Sequence, residues 1–140
     1  MRAPFTQLYV HLVWSTWDRL PLINEAFESR LFSAITKKCR ELNCEPIAIG
    51  GIEDHIHLLI RIHPAISIAD LVKQVKGSSS HLMTHEITPN VFFKWQGGYG
   101  AFSVSRNDLS KIRNYIDNQK THHTEVLLEP DYEMIGNVNS

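Results

Sequence analysis

The chain has 140 residues, of which 43% are hydrophobic and 21% are charged, and its formal net charge at pH 7 is −1. This size and composition are typical of one globular domain and exclude a disordered or fibrous protein. The near-zero net charge argues against a protein that binds nucleic acid over its whole surface. Between residues 61 and 120, however, basic residues outnumber acidic ones by 8 to 4, which leaves room for a local polyanion site.

The cysteines and the N-terminal residues bear on the cellular compartment. Cys39 and Cys44 are five residues apart and form no CxxC pair, a usage typical of a reducing compartment. No apolar signal segment follows Met1, and no run of about 18 apolar residues occurs along the chain. We therefore expect a cytoplasmic protein without a membrane-spanning segment.

Hydrophobic periodicity predicts the elements of the first half of the chain. Residues 5–17 alternate loosely and predict a strand, and residues 24–42 carry an apolar stripe with helical spacing. Residues 46–52 form a short apolar run, and residues 55–63 alternate clearly. The last two segments are separated by a tight turn, so they predict two strands of a hairpin.

Capping patterns and glycines organise the second half. Residues 67–70 and 105–108 each read Ser-x-x-Asp, which predicts the start of a helix. Residues 99–103 predict a short strand between these helices, and the last helix is expected to end near Thr124.

The resulting order β-α-β-β-α-β-α predicts an α+β fold. Its first six elements match the ferredoxin-like, split βαβ plan. We expect an antiparallel sheet with helices on one face and a further C-terminal helix. The domain is expected to span residues 1–125, and residues 126–140 are expected to form a loosely held acidic tail.

His55 and His57 form the first pattern that indicates chemistry. Alternate residues of a strand point to the same side about 7 Å apart, so the two imidazoles can bind one metal ion. Branched apolar residues occupy the opposite face of this strand. Without other support, however, a His-x-His pattern is more often a pair of partly exposed histidines.

The last predicted helix carries the second pattern. Tyr115 and Gln119 are one turn apart and lie with His122 on one flank of the apolar stripe. A tyrosine oxygen can act as a covalent nucleophile, and a glutamine carbonyl is a hard oxygen ligand that suits Mg²⁺ or Mn²⁺. Taken alone, the same spacing also fits a tyrosine at the edge of the core beside a surface glutamine.

Short motifs that are individually weak follow one another along nearly the whole chain. They are VWST at 13–16, EDHIHLLI at 53–60, KGSSS at 76–80, WQGGYGAFSVS at 95–105 and IRNYIDNQ at 112–119. In this order and spacing the chain resembles the HUH endonucleases, where U is a hydrophobic residue. More narrowly, it resembles the single-tyrosine transposases of the insertion-sequence 200/605 type and their repeat-associated relatives.

The resemblance implies a mechanism. His55, His57 and Gln119 would hold a divalent ion, Mg²⁺ or Mn²⁺. Tyr115 would attack a phosphodiester of single-stranded DNA with hairpin ends, leaving a 5′-phosphotyrosine and a free 3′-hydroxyl that later rejoins a strand. The resemblance also implies a homodimer with a shared active site, in which Tyr115 acts either in cis or in trans.

Further residues are candidates for supporting roles. Asp54 either orients an imidazole or shapes the turn before the histidines, and His122 either assists or replaces Gln119 as a ligand. Phosphate contacts are expected from a basic set that otherwise forms a solvated helix face. This set comprises Lys73, Lys76, Arg106, Lys111 and Arg113.

Three other functions stay open at this point. A domesticated relative would cut repeat hairpins without moving an element. A non-catalytic module would bind single-stranded or hairpin DNA as a regulator, although the presence of His55, His57, Tyr115 and Gln119 argues against it. An unrelated metal-dependent phosphoesterase would use the histidine pair without a covalent step and would leave Tyr115 dispensable.

Overall fold

The computed structural model describes residues 4–120 and 132–135 as one sheet with helices on both of its faces. Its main elements are β1 (Tyr9–Ser15), α1 (Glu28–Glu41), β2 (Glu45–Ile52), β3 (His55–Arg61), α2 (Ile68–Leu82), β4 (Gly100–Val104) and α3 (Leu109–Asp117). Short helical turns lie at Trp17–Arg19, Met83–Ile87 and Arg106–Asp108. The antiparallel strand order β2-β3-β1-β4 confirms the predicted ferredoxin-like α+β fold.

Strand β3 is central and both of its faces are covered. On one face Ile56, Leu58 and Ile60 are fully buried and belong to the main core, which α1 and α2 complete. Burial of each such side chain contributes about 1.5–3 kcal/mol. On the opposite face Leu59 packs with Ile116 of α3. The face that carries the histidines therefore lies under α3, and not under α1 and α2.

Two further contacts hold α3 and the residues that follow it against the rest of the chain. A Cβ atom on Gly50 of β2 would meet the backbone carbonyl oxygen of Ile116, so the missing side chain lets α3 lie directly on the strand. Beyond α3, Lys120 Nζ lies 2.8 Å from an oxygen of Glu28, near the start of α1. Both contacts join α3 to elements of its own chain.

The two predicted capping patterns behave differently. Ser67 caps α2 as expected, because its Oγ accepts a hydrogen bond of 3.1 Å from the backbone N–H of Asp70. The prediction for residues 105–108 was wrong in detail. The Ser105 hydroxyl instead donates to the Asp108 carboxylate at 3.1 Å, and a 3₁₀ turn precedes the first residue of α3.

Other boundaries differ by a few residues. Asn24 Oδ1 accepts a hydrogen bond from the N–H of Ala26, which makes a turn there, and α1 begins only at Glu28. Helix α2 is continuous through the glycine and serine residues at 77–80. The predicted end of α3 near Thr124 lies outside the described residues, as does His122.

Cysteines and helix lengths bear on the expected compartment. Cys39 and Cys44 are buried and carry free thiols. Within residues 4–120 and 132–135, none of the helices combines the length and apolarity that crossing a membrane requires. The cytoplasmic location stays a prediction.

A pair of glycine substitutions tests the close approach of α3. We expect Gly50→Ala to destabilise the protein by about 1–3 kcal/mol, because its Cβ meets Ile116 and α3 has to move away from β2. Gly77→Ala is the matched control, since nothing lies within 4 Å of its Cβ and replacing a helical glycine with alanine stabilises by about 0.5–1 kcal/mol. Thermal unfolding followed by circular dichroism measures both effects. Equal midpoints for Gly50→Ala and the unmodified chain would contradict the close packing.

Candidate active site

The histidine pair on β3 converges on one carboxylate oxygen. His55 and His57 are buried, with relative exposures of 1% and 0%. The Nε2 atom of each lies 3.1 Å from Oε1 of Glu133. One nitrogen from each histidine and one carboxylate oxygen lie within 4.8 Å of one another, so this group could hold a metal ion.

The other nitrogen of each imidazole also has a partner. His55 Nδ1 lies 2.7 Å from Oδ1 of Asp54. His57 Nδ1 lies 2.8 Å from Nε2 of His11, a buried residue of β1. Such outer contacts fix the orientation of metal-binding imidazoles. The backbone oxygen of Asp54 also accepts a hydrogen bond from the N–H of Thr16. The two alternative roles of Asp54, orienting an imidazole or shaping the turn, stay predictions.

His11 makes the tautomer of His57 adjustable. Burial and the neighbouring His57 lower the pKa of His11 to about 3, so its imidazole is neutral and carries one proton. Its Nδ1 is buried without a hydrogen-bond partner in the described part of the chain. Either His11 donates to His57 Nδ1, or His57 donates to His11 Nε2. In the second arrangement the Nε2 lone pair of His57 is available to a metal ion.

Glu133 is held as a carboxylate. Burial raises the pKa of its carboxyl, but hydrogen bonds from His55, His57 and Tyr115 outweigh that effect. The net result is a pKa well below the ordinary value for glutamate. The site therefore presents a negative charge between two imidazoles.

Tyr115 reaches the same carboxylate from α3. Its hydroxyl donates a hydrogen bond to Glu133 Oε2, and its ring centroid lies 5.8 Å from that of His57. Gln119 is buried one turn further on, and its Nε2 donates to the Tyr115 carbonyl oxygen at 3.4 Å. Within one chain, the predicted nucleophile and the predicted metal-binding pair thus meet around Glu133.

Residues 132–135 place Glu133 in the site. The Tyr132 ring centroid lies 5.1 Å from that of Tyr115 and 5.9 Å from that of His11. The backbone oxygen of Met134 lies where a Cβ atom on Gly100 of β4 would be. The expectation of a loosely held tail is wrong for these four residues, because aromatic packing and polar bonds to buried groups hold them.

Sequence reasoning missed His11 and Glu133. The signal for His11 was a single histidine in the middle of an apolar strand. For Glu133, the available signal was an aromatic residue, Tyr132, beside an acid in the tail. Neither signal identifies its partner, because the contacts join residues 46 and 76 positions apart in sequence.

The predicted phosphate-binding residues fall into two groups. Lys76 is half-buried, and its Nζ donates to the backbone oxygens of Gln96 and Gly98 at 2.9 and 2.6 Å. Burial lowers its pKa to about 8. The side chains of the remaining members are exposed: Lys73, Arg106, Lys111 and Arg113. A DNA contact by any of these residues stays a prediction.

Comparison with known proteins agrees with this fold. The family model described as "Transposase IS200 like" matches residues 4–119, so the chain belongs to the IS200-like transposase family, as the motifs predicted. This is a family of DNA-cleaving enzymes. The chain is 29% identical over 119 residues to ISDra2 transposase TnpA from Deinococcus radiodurans. The match covers 81% of this chain and 84% of that protein.

Other relatives extend the comparison. The chain is 33% identical over 93 residues to the transposase for insertion sequence element IS200 of Salmonella typhimurium, covering 62% of this chain and 60% of that protein. A crystal structure of a protein assigned as a transposase, from Deinococcus radiodurans R1, has a TM-score of 0.65 and 27% identity over 85% of this chain and 95% of that chain.

A REP-associated tyrosine transposase bound to a REP hairpin shares the fold. Its TM-score is also 0.65, with 16% identity, and the match covers 88% of this chain and 72% of that chain. The fold of this chain is therefore common to both solved structures.

The surroundings of His55 predict its titration in protein free of metal and DNA. Burial lowers the pKa of His55, but hydrogen bonds to Asp54 and Glu133 outweigh it, so the pKa lies above the ordinary 6.5. Proton binding therefore stabilises the fold fully below pH 6.5, and this contribution is lost as the pH rises through the raised pKa. We expect Asp54→Asn to lower the pKa of His55, measured from imidazole ¹⁵N shifts.

Asp18→Asn is the control, since Asp18 is exposed and asparagine tolerates its positive φ of 53°. It should leave the titration of His55 unchanged. An unchanged His55 pKa in Asp54→Asn would show that the contact between these two residues is absent in solution.

Proposed function

We propose that this chain cleaves and rejoins single-stranded DNA through a 5′-phosphotyrosine link to Tyr115, with Mg²⁺ or Mn²⁺ bound at His55 and His57. One observation carries the proposal. The Tyr115 hydroxyl and both Nε2 atoms converge on a single carboxylate. A phosphodiester bound beside this carboxylate would contact the nucleophile and the metal-binding pair together.

The donor set suits a divalent ion. Two imidazole nitrogens and a carboxylate oxygen are common ligands of such ions, and Asp54 and His11 orient the imidazoles. Gln119, buried one turn after Tyr115, is the further ligand that the family resemblance implies. When bound, the ion would supply positive charge that stabilises the phosphate as negative charge develops on it.

The covalent step conserves the phosphodiester. The Tyr115 oxygen forms a bond to phosphorus, and the bond from phosphorus to the 3′-oxygen breaks. The phenol proton leaves Tyr115, and the departing 3′-oxygen takes up a proton to become a hydroxyl. Because the new bond is again a phosphate ester, a 3′-hydroxyl can attack it later and reseal the strand without ATP.

The proposed substrate is single-stranded DNA with hairpin ends. Support comes from the relative bound to a REP hairpin and from the exposed Lys111, which lies one turn before Tyr115 on α3. A repeat-processing nuclease would use the same chemistry without moving an element. The ordered contacts of Tyr115 favour either of these catalytic functions over a regulator that only binds DNA.

A homodimer is also proposed, since β4 lies at an edge of the described sheet and its outer backbone groups can pair with a second copy. In each copy Tyr115 lies beside His57 of the same chain. Mixing Tyr115→Phe with His57→Ala tests the arrangement. Action in cis predicts no recovery of cleavage in the mixed dimers, whereas recovery would establish a site shared in trans. Sedimentation of the unmodified chain as a monomer would contradict the dimer.

The covalent intermediate gives the most direct test. With Mn²⁺ or Mg²⁺ and oligonucleotides from the DNA that flanks the gene, we expect a protein–DNA adduct on a denaturing gel. Tyr115→Phe should abolish the adduct because the nucleophilic oxygen is absent, and His57→Ala should lower its yield at least about 100-fold because an electrostatic stabiliser of the transition state is lost. Chelation of the metal ion by EDTA should also lower the yield of the adduct.

Tyr9→Phe is the matched control, since Tyr9 lies at the far end of β1 from the residues that pair with His55. It should form the adduct at the wild-type rate. Cleavage that survives Tyr115→Phe would establish a hydrolytic phosphoesterase instead. Hairpin binding without cleavage, in protein shown to bind the metal, would favour the regulator.

A further inference from the structure

The acid that sequence reasoning missed occupies the centre of the site. We propose that Glu133 is a third protein ligand of the metal ion assigned to His55 and His57, and that its second oxygen positions Tyr115. This inference rests on the proposed function, because that function supplies the ion. It makes the C-terminal segment, residues 132–135, a part of the active centre.

The distances between donor atoms carry the first step. Glu133 Oε1 lies 3.1 Å from Nε2 of His55 and 3.1 Å from Nε2 of His57. Two donors that bind one ion at about 2.1 Å and at right angles lie about 3.0 Å apart. These two separations therefore match those of ligands that share one ion, and all three donor atoms lie within 4.8 Å of one another.

The direction of the two imidazoles carries the second step. Each Nδ1 is already engaged, in His55 by Asp54 and in His57 by His11. Each histidine therefore offers its Nε2, and both Nε2 atoms point to the same carboxylate oxygen. Outer partners on Nδ1 with Nε2 directed inward are the arrangement of metal-binding histidines.

The charge and burial of the carboxylate carry the third step. The Glu133 side chain is only 17% exposed. The two imidazoles and the Tyr115 hydroxyl compensate this carboxylate in the protein without an ion, as a charge removed from water requires. A divalent ion in the place of the imidazole protons would supply the same compensation and keep a net positive charge toward a phosphate.

The segment is held in place by contacts that involve no metal ligand. Tyr132 packs on Tyr115 and His11, and the Met134 carbonyl oxygen approaches β4 where Gly100 has no side chain. These contacts place the carboxylate before any ion arrives. Preorganised ligands of this kind are what a precise site requires.

The second oxygen links the ligand to the nucleophile. Because Oε2 accepts the hydrogen bond of the Tyr115 hydroxyl, the carboxylate fixes the position of that hydroxyl relative to Oε1. Glu133 is a positioning residue toward Tyr115, in addition to its role as a ligand. As a metal ligand, its carboxylate would contribute a negatively charged oxygen, beside the neutral amide oxygen of Gln119.

Metal binding in the absence of DNA tests the proposal. We would titrate the full chain with Mn²⁺ and measure free Mn²⁺ by electron paramagnetic resonance. Glu133→Gln keeps the size of the side chain and removes its charge, and we expect it to raise the Kd for Mn²⁺ at least about 10-fold. His57→Ala should raise the Kd further. Thermal unfolding of each variant verifies that it is folded.

Glu25→Gln is the matched control, because Glu25 is exposed and its loss changes the net charge equally. It should bind Mn²⁺ as the unmodified chain does. If Glu133→Gln binds Mn²⁺ equally or more tightly while His57→Ala loses it, the carboxylate is no ligand and only occupies the place of a phosphate. That outcome overturns this inference and leaves the proposed function intact, whereas absence of Mn²⁺ binding by the unmodified chain overturns both.

Discussion

Strand β3 buries both of its faces, and this constraint determines the rest of the site. Apolar side chains on one face need only packing, which α1 and α2 provide. The imidazoles on the other face also need hydrogen-bond partners, because a buried polar group left without one costs about 1–3 kcal/mol. Asp54, His11 and Glu133 meet that need from the preceding turn, the neighbouring strand and the C-terminal segment.

The same constraint explains why the C-terminal part of the described chain completes the site. The α1 and α2 layer cannot reach the histidine face, so α3 and residues 132–135 cover it. Because the cover carries Tyr115 and Glu133, the elements that shield the histidines from water also bring the proposed nucleophile and the proposed third ligand to them. The same contacts therefore stabilise this half of the molecule and assemble the candidate active site.

Local patterns were sufficient for the strand, the histidine pair and the tyrosine helix. Alternation on β3 placed His55 and His57 on one side, and helical spacing placed Tyr115 above Gln119. His11 and Glu133 depended on which distant segments meet, and periodicity carries no such information. The start of α3 was misplaced for a local reason, since the Ser105 hydroxyl found a carboxylate instead of a backbone N–H.

The ion pair between Lys120 and Glu28 has a consequence for how two copies of the chain can associate. Domain swapping of α3 would separate Lys120 from the Glu28 of its own chain and would have to re-form the pair with the other copy. Salt screens such a pair, because the Debye length shortens from about 10 Å at 0.1 M to about 3 Å at 1 M. In the proposed homodimer, an exchange of α3 would therefore respond to ionic strength through this pair, whereas the approach of α3 to Gly50, which carries no charge, would not.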